Sequence, residues 1–225
     1  MRTQKFNTKN QKIWFASDFH LSHKQPFIWQ ARGFTSIQEH ASKIITDLNA
    51  VVGENDILFY LGDFSLNSTP PETREYFRSI KCRNIYYIWG NHEANVSAIY
   101  QEALRETFSP FLKLIPEQVY PFKWENVTFL GAYARISINN QPIVLSHFAH
   151  FIWDMMQHGA WNICGHSHGN CAAILPDNTE GKILDVGVDV CYKQFGRSCI
   201  SFEEVINIMQ TKSLKVVDHH NSETT

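Results

Sequence analysis

The sequence has little of what would place it outside the ordinary globular class. Over its 225 residues no apolar run approaches the roughly 20 needed to cross a bilayer. Met1–Lys12 is polar and basic, and the apolar stretch behind it, Ile13–Ala16, is too short for the hydrophobic region of a signal peptide. Charge of one sign is missing as well. Twenty basic residues stand against 22 acidic ones, net −2, which argues against holding nucleic acid on a broad basic surface. The five cysteines (Cys82, Cys164, Cys171, Cys191, Cys199) are odd in number and include no CxxC pair. That favours buried free thiols in a reducing compartment over a disulfide frame or a thiolate zinc site. No repeat, low-complexity tract or Pro/Gly linker divides the chain, so residues 1–212 are expected to form one domain, followed by a frayed polar tail, 213–225, that includes His219 and His220. A cytoplasmic protein without membrane attachment is the expectation.

What is present is a globular composition, 44% apolar and 19% charged, in a chain long enough to bury a self-supporting core. Short apolar runs alternate with amphipathic segments. Ile13–Ser17, Ile57–Leu61 and Ile85–Trp89 carry strand signals. Between them, Ile37, Ala41, Ile44, Ile45 and Leu48 recur at helical spacing, with Ser36 and Glu39 as a capping box, and Pro70-Pro71 opens a second helix to about Ile80. Strand, helix, strand, helix, strand predicts parallel βαβ units. The second half is expected to continue as β structure: Val127–Leu130, Tyr133–Ile138, Ile143–Ser146, Trp161–Cys164, Cys171–Leu175 and Lys182–Val186, with turns at Asn139–Pro142 and Pro176–Asn178. Helices are predicted near Ile152–His158 and Phe202–Met209.

Histidine is in excess, with eleven residues that are not evenly spread. Five polar groups each follow an apolar run: Asp18-Phe19-His20, Gly62-Asp63, Gly90-Asn91-His92-Glu93, Ser146-His147, and Gly165-His166-Ser167-His168-Gly169. Ligands gather outside the carboxyl ends of strands in open α/β sheets, and the neighbouring glycines permit tight turns there. Taken singly, Asp18 could cap a helix, Gly62-Asp63 could be a turn, and His147 could be a hydrogen-bonded core histidine. Taken together they bring oxygen and imidazole donors to one rim.

The ordered set D-x-H, G-D, G-N-H-[DE], H and G-H-x-H resembles the calcineurin-like metallophosphoesterases. Steps of 45, 28, 56 and 19 residues separate Asp18, Asp63, Asn91, His147 and His166, and the likeness spans about residues 13–200. The resemblance implies an α/β fold, a four-layer α/β/β/α sandwich with two mixed sheets flanked by helices. It also implies two divalent metal ions, manganese first, with iron, zinc or nickel as alternatives. Asp18, His20 and His168 would hold one ion, Asn91, His147 and His166 the other, and Asp63 would bridge them. A shared carboxylate suits a two-metal phosphoester site, in which a hydroxide between the ions attacks phosphorus in line. The same resemblance gives His92 a role at the leaving-group oxygen, with Glu93 orienting its imidazole or, alternatively, lying as an exposed loop charge. His23, His150 and Arg135 are candidates for substrate contact, with a local hydrogen bond as the alternative for both histidines. Asp185 and Asp189 read as a structural turn near the site.

Protein phosphatases of the superfamily extend the second motif to G-D-x-x-D-R-G. Here the run is Gly62-Asp63-Phe64-Ser65-Leu66-Asn67, without that Asp or Arg. The expectation is therefore a phosphodiesterase acting on a small, nucleotide-type or cyclic nucleotide substrate. A phosphomonoesterase, a nuclease for which nucleic acid is only a substrate, and a non-catalytic binding module are the alternatives. The sequence sets no oligomeric state.

Overall fold

Apolar runs of four residues with no polar alternation suit strands covered on both faces, and such runs form the middle of this structure. The structure, a computed structural model, describes residues 3–108, 119–171 and 181–214. In chain order, β1 (Gln4–Phe6) and β2 (Ile13–Ala16) lead into α1 (Pro26–Ala31) and α2 (Ile37–Val51). Then come β3 (Ile57–Tyr60), α3 (Pro70–Ser79), β4 (Ile85–Ile88) and α4 (Ala94–Phe108). After β5 (Phe122–Trp124) and β6 (Val127–Gly131), β7 (Tyr133–Ile138) and β8 (Gln141–Ser146) form a hairpin, followed by β9 (Trp161–Cys164) and β10 (Ile183–Asp185). α5 (Val188–Phe195), β11 (Ile200–Ser201) and α6 (Phe202–Thr211) close the described chain.

Two mixed sheets result, flanked by helices: β11-β2-β3-β4-β6-β5 and β1-β7-β8-β9-β10. In the first, β2, β3, β4 and β6 run parallel, with β11 and β5 antiparallel at the edges. In the second, β8, β9 and β10 run parallel. One apolar core lies between the sheets, where Phe15 and Phe59 stack at 5.5 Å and face Ile136, Ile143 and Ile163. A second core fills the gap between the first sheet and α2, α3 and α4. Each fully buried Phe or Ile contributes about 1.5–3 kcal/mol to holding these layers together.

Local chemistry explains the boundaries. Asn139 and Asn140 both take positive φ, 49° and 70°, and make the two-residue β7–β8 turn, so Gln141 and Pro142 belong to β8. At α2, Ser36 caps the Glu39 amide as expected, but the Glu39 carboxylate reaches Thr35 instead of closing a box on Ser36. The reciprocal box forms at α3, between Thr69 and Glu72. The helix expected near Ile152–His158 is a correction: only a 3-10 turn, Met156–His158, forms there, entered through Met155 in the left-handed region. α4 and α5 were not expected from the sequence. The expected strand at 171–175, apart from Cys171, the turn at 176–178 and the tail from 215 lie outside the described residues. Among the described residues, no helix is long and apolar enough to cross a membrane.

Candidate metal centre

The carboxyl ends of six strands meet at one edge of the two sheets. β2 leads to Asp18, β3 to Asp63, β4 to Asn91, β8 to His147 and β9 to His166, while β10 leads through Gly187 to Asp189. The sheets are tied at this edge by a parallel bridge between Ser17 and Gly187 and by the Val188 amide on the Ser17 carbonyl at 3.0 Å. The chain turns sharply to aim its side chains inward. Asp18, His20, Asp63, His166 and His168 all sit in the left-handed region, with φ between 47° and 66°. Non-glycine residues pay roughly 1–2 kcal/mol each to sit there. Backbone bonds hold the strained loops, including Asp18 N to Gly62 O and His20 N to Asp63 O, both 3.0 Å. Two motif glycines are needed for space: a Cβ on Gly90 would stand 2.2 Å from Asp63 Oδ1, and one on Gly165 2.5 Å from Asp18 Oδ2.

Two groups of potential ligands form: Asp18, His20 and His168, and Asp63, His147 and His166. Asn91 joins the second, its Oδ1 2.9 Å from His147 Nε2. Asp63 lies between them, with Oδ2 3.7 Å from His20 Nε2 and 3.4 Å from His147 Nε2. Its other oxygen accepts from the amides of Asn91 (2.9 Å) and His92 (2.8 Å), which fixes the carboxylate with one oxygen turned to both groups. The donor set fits divalent cations. Asp18 Oδ1 and both ring nitrogens of His20 are buried with no hydrogen-bond partner among the described residues, an arrangement that costs free energy unless a cation satisfies it. His147 donates from Nδ1 to the Leu61 carbonyl at 2.7 Å, leaving Nε2 facing two oxygen acceptors. A proton or a metal ion on Nε2 reconciles that contact. Mixed imidazole, amide and carboxylate donors suit manganese, iron, zinc or nickel better than calcium or magnesium.

The electrostatics carry the same imprint. Burial pushes Asp18 up to about 6, against the pull of His147 and His168. Burial would lower His147, but the carboxylates of Asp63 and Asp18 outweigh it and raise it to about 9. His20 goes the other way, down to about 3, because burial and nearby cations exceed the help of Asp63. Despite its own burial, Asp63 is held well below the usual carboxylate range by His147 and the amide bonds.

The remaining expected residues divide. His92 is exposed at the rim, its ring centroid 5.7 Å from that of His20. His23 is buried beside it, 5.8 Å from the His20 ring, with Nδ1 accepting from the Gln25 amide. Glu93 is a correction to both of its expected roles. It is buried, and its oxygens accept from the amides of Asp63 (2.7 Å) and Gly90 (2.9 Å) and from the Tyr87 hydroxyl (2.7 and 2.8 Å), so it braces the loop backbone and does not hold the His92 ring. Burial lifts its carboxyl to about 7. The Arg135 guanidinium bonds Thr3 at 2.8 Å and Asp154 at 2.6 Å beside the β7–β8 hairpin. His150 packs edge-on against Tyr133 at 5.4 Å, its amide on Asn162, outside both ligand groups.

Sequence reasoning missed several supporting residues. Asp189 accepts from His168 Nδ1 at 2.7 Å and from Arg32. Asp185 holds Gly169, Gly187 and the Ser167 hydroxyl, and so fixes the loop of His166 and His168. The Asp185–Asp189 segment was visible in the sequence only as a turn, and nothing local marked Arg32 or Tyr87.

The family described as calcineurin-like phosphoesterase matches residues 11–170. The Gene 66 protein of Mycobacterium phage L5 is 24% identical over 215 residues, covering 87% of this chain and 93% of the phage protein. An uncharacterized protein of Methanocaldococcus jannaschii is 29% identical over 83 residues, 37% of this chain, and the match spans about half (47%) of the archaeal protein's length. A solved structure, of a protein of unknown function from Aquifex aeolicus, shares the fold with a TM-score of 0.59 at 19% identity, covering 88% of this chain and 100% of that one.

Proposed function

This chain belongs to the calcineurin-like phosphoesterase family, and from that premise we propose that it is a two-metal phosphodiesterase acting on a small nucleotide-type diester. The observation that carries the two-metal reading is Asp63, whose Oδ2 faces His20 Nε2 at 3.7 Å and His147 Nε2 at 3.4 Å. Asp18, His20 and His168 would hold one ion and Asn91, His147 and His166 the other, with Asp63 shared. When bound, the ions supply positive charge for the phosphoryl oxygens and lower the pKa of water at the site. Manganese is the proposed metal.

The protein's own groups do the rest. Leu61 fixes the tautomer of His147, and Asp189 that of His168, so each ring keeps Nε2 for an ion. His92, exposed on the rim, is free to give a proton to the departing alkoxide. Substrate class follows from the rim. Phe148 is 47% exposed while its ring lies 4.5 Å from that of His166, so it offers a stacking face beside that candidate ligand. A doubly charged monoester would gain from a nearby guanidinium, but Phe64 and Ser65 after Asp63 are buried and Arg32 and Arg135 are turned to protein acceptors. Hydrolysis of bis-p-nitrophenyl phosphate and of p-nitrophenyl phosphate with added Mn²⁺ tests this. A clear diester preference is expected, and a monoester preference would refute the substrate assignment.

A further inference from the structure

Arg32 follows α1 directly, far in sequence from every motif, yet its side chain is 2% exposed and reaches the centre. A guanidinium has five N–H donors in a fixed fork, and all five have partners here. Nε bonds Asp189 Oδ1 at 2.8 Å; Nη2 bonds Asp189 Oδ2 and the Asp18 carbonyl, both 2.9 Å; Nη1 bonds the Phe19 carbonyl and His40 Nε2, both 2.9 Å. His40 is buried within α2 and is held neutral there, so it serves as an acceptor.

These partners share a destination. The Asp18 and Phe19 carbonyls belong to the strained loop that carries Asp18 and His20, and Asp189 Oδ2 also receives His168 Nδ1 at 2.7 Å. Asp18, His20 and His168 are one of the two ligand groups. His147 and Asp63 of the other group have different anchors: His147 rests on the Leu61 carbonyl, and Asp63 on the amides of Asn91 and His92, with Glu93 behind the Asp63 amide. His166 is the link between the groups, its amide donating to Asp18 Oδ2 at 2.9 Å.

We propose that Arg32 is the positioning residue of one half of the centre: with Asp189 it sets the site of Asp18, His20 and His168, and leaves Asn91 and His147 of the other site to separate anchors. This rests on the two-ion reading above. The two ions then load as separable events, and loss of the Arg32–Asp189 pair empties one site only. A lysine cannot substitute, because one ammonium has three donors and no planar fork.

The test uses the full chain, stripped with chelator and titrated with Mn²⁺, as wild type, Arg32→Lys and Asp189→Asn. The wild type is expected to take two ions and to show the exchange-coupled resonance of a manganese pair. Both variants are expected to take one ion at wild-type affinity and the other about 10–100-fold more weakly, the usual effect of removing such a partner, with the resonance of an isolated Mn²⁺ after the first equivalent. If Arg32→Lys does not fold, Asp189→Asn decides alone, since it keeps Arg32 on Asp18, Phe19 and His40. Two ions at wild-type affinity in the variants, or both ions weakened equally, overturn this inference alone. A wild-type chain that takes fewer than two overturns the two-ion reading and this inference with it.

Discussion

Replacing Gly90 with alanine strikes the shared carboxylate without touching a donor atom. The added Cβ would stand 2.2 Å from Asp63 Oδ1, 2.6 Å from the Asp63 amide and 3.0 Å from Glu93 Oε1. Ordinary contact needs more than 3 Å, so Asp63 must retreat by roughly 1 Å. That oxygen accepts from the Asn91 and His92 amides at 2.9 and 2.8 Å, and such a retreat takes both bonds past useful length. Hydrogen bonds to a charged group contribute about 1.5–3 kcal/mol each, and overpacking costs a further ~1–3 kcal/mol. The low ends of these ranges already give about 4 kcal/mol, a large fraction of the ~5–15 kcal/mol stability of a typical domain. Urea unfolding of the metal-free protein measures it directly. Gly33→Ala is the control, because φ there is +82° but nothing lies within 4 Å of the new Cβ; it should lose only ~1 kcal/mol of backbone strain. The two variants unfolding at the same midpoint, with Gly90→Ala keeping wild-type Mn²⁺ affinity, would refute the reasoning.

His92→Ala should keep both ions and lose about 10²–10⁴ in kcat on diesters with poor leaving groups; metal content and turnover measured on one sample check it, and retained turnover contradicts the role given to His92. Metal binding should release a proton. His147 is raised to about 9, so its proton persists until the pH passes that value and competes with an ion for Nε2. Affinity should therefore rise about tenfold per pH unit between roughly pH 6.5 and 8.5 and level off above 9, which calorimetry in two buffers of different ionisation heat can read. Acid should loosen the Arg32–Asp189 pair. Burial alone would raise Asp189, but His168 and Arg32 hold it well below the usual carboxylate range. A depressed carboxylate stabilises the fold above its unfolded value and loses that contribution as the pH falls. The stability gap between wild type and Asp189→Asn should be full above about pH 5 and narrow progressively as the pH falls below about 4 toward the depressed folded value, as followed by melting temperature.

The β2, β3 and β4 strands were legible because four-residue apolar runs ending at polar turns have few other uses. The ligands were legible because each stands at such an end: Asp18 after β2, Asp63 after β3, His166 after β9. α4 could have been found, since Val96, Ile99, Tyr100, Ala103 and Leu104 recur at helical spacing and are its buried face. The supporting residues could not. Arg32 meets Asp189 from 157 positions away, and Tyr87 meets Glu93 through a hydroxyl that a strand pattern presents as one more aromatic. The role of Glu93 was misjudged for the same reason. A carboxylate after Gly-Asn-His looks solvent-facing, and only the packed loop shows its oxygens turned onto Gly90 and Asp63. The Ile152–His158 segment failed as a helix because Met155 and Gly159 take left-handed turns at either side of the 3-10 turn.

The most direct test is a stepwise Mn²⁺ titration of the stripped protein with hydrolysis of a nucleotide diester as the readout. Asp63 can serve both ions only when both are present, so activity should stay low through the first equivalent, rise with the second and vanish again on chelation. Full turnover at one equivalent, or none with two ions bound, would contradict the two-metal account.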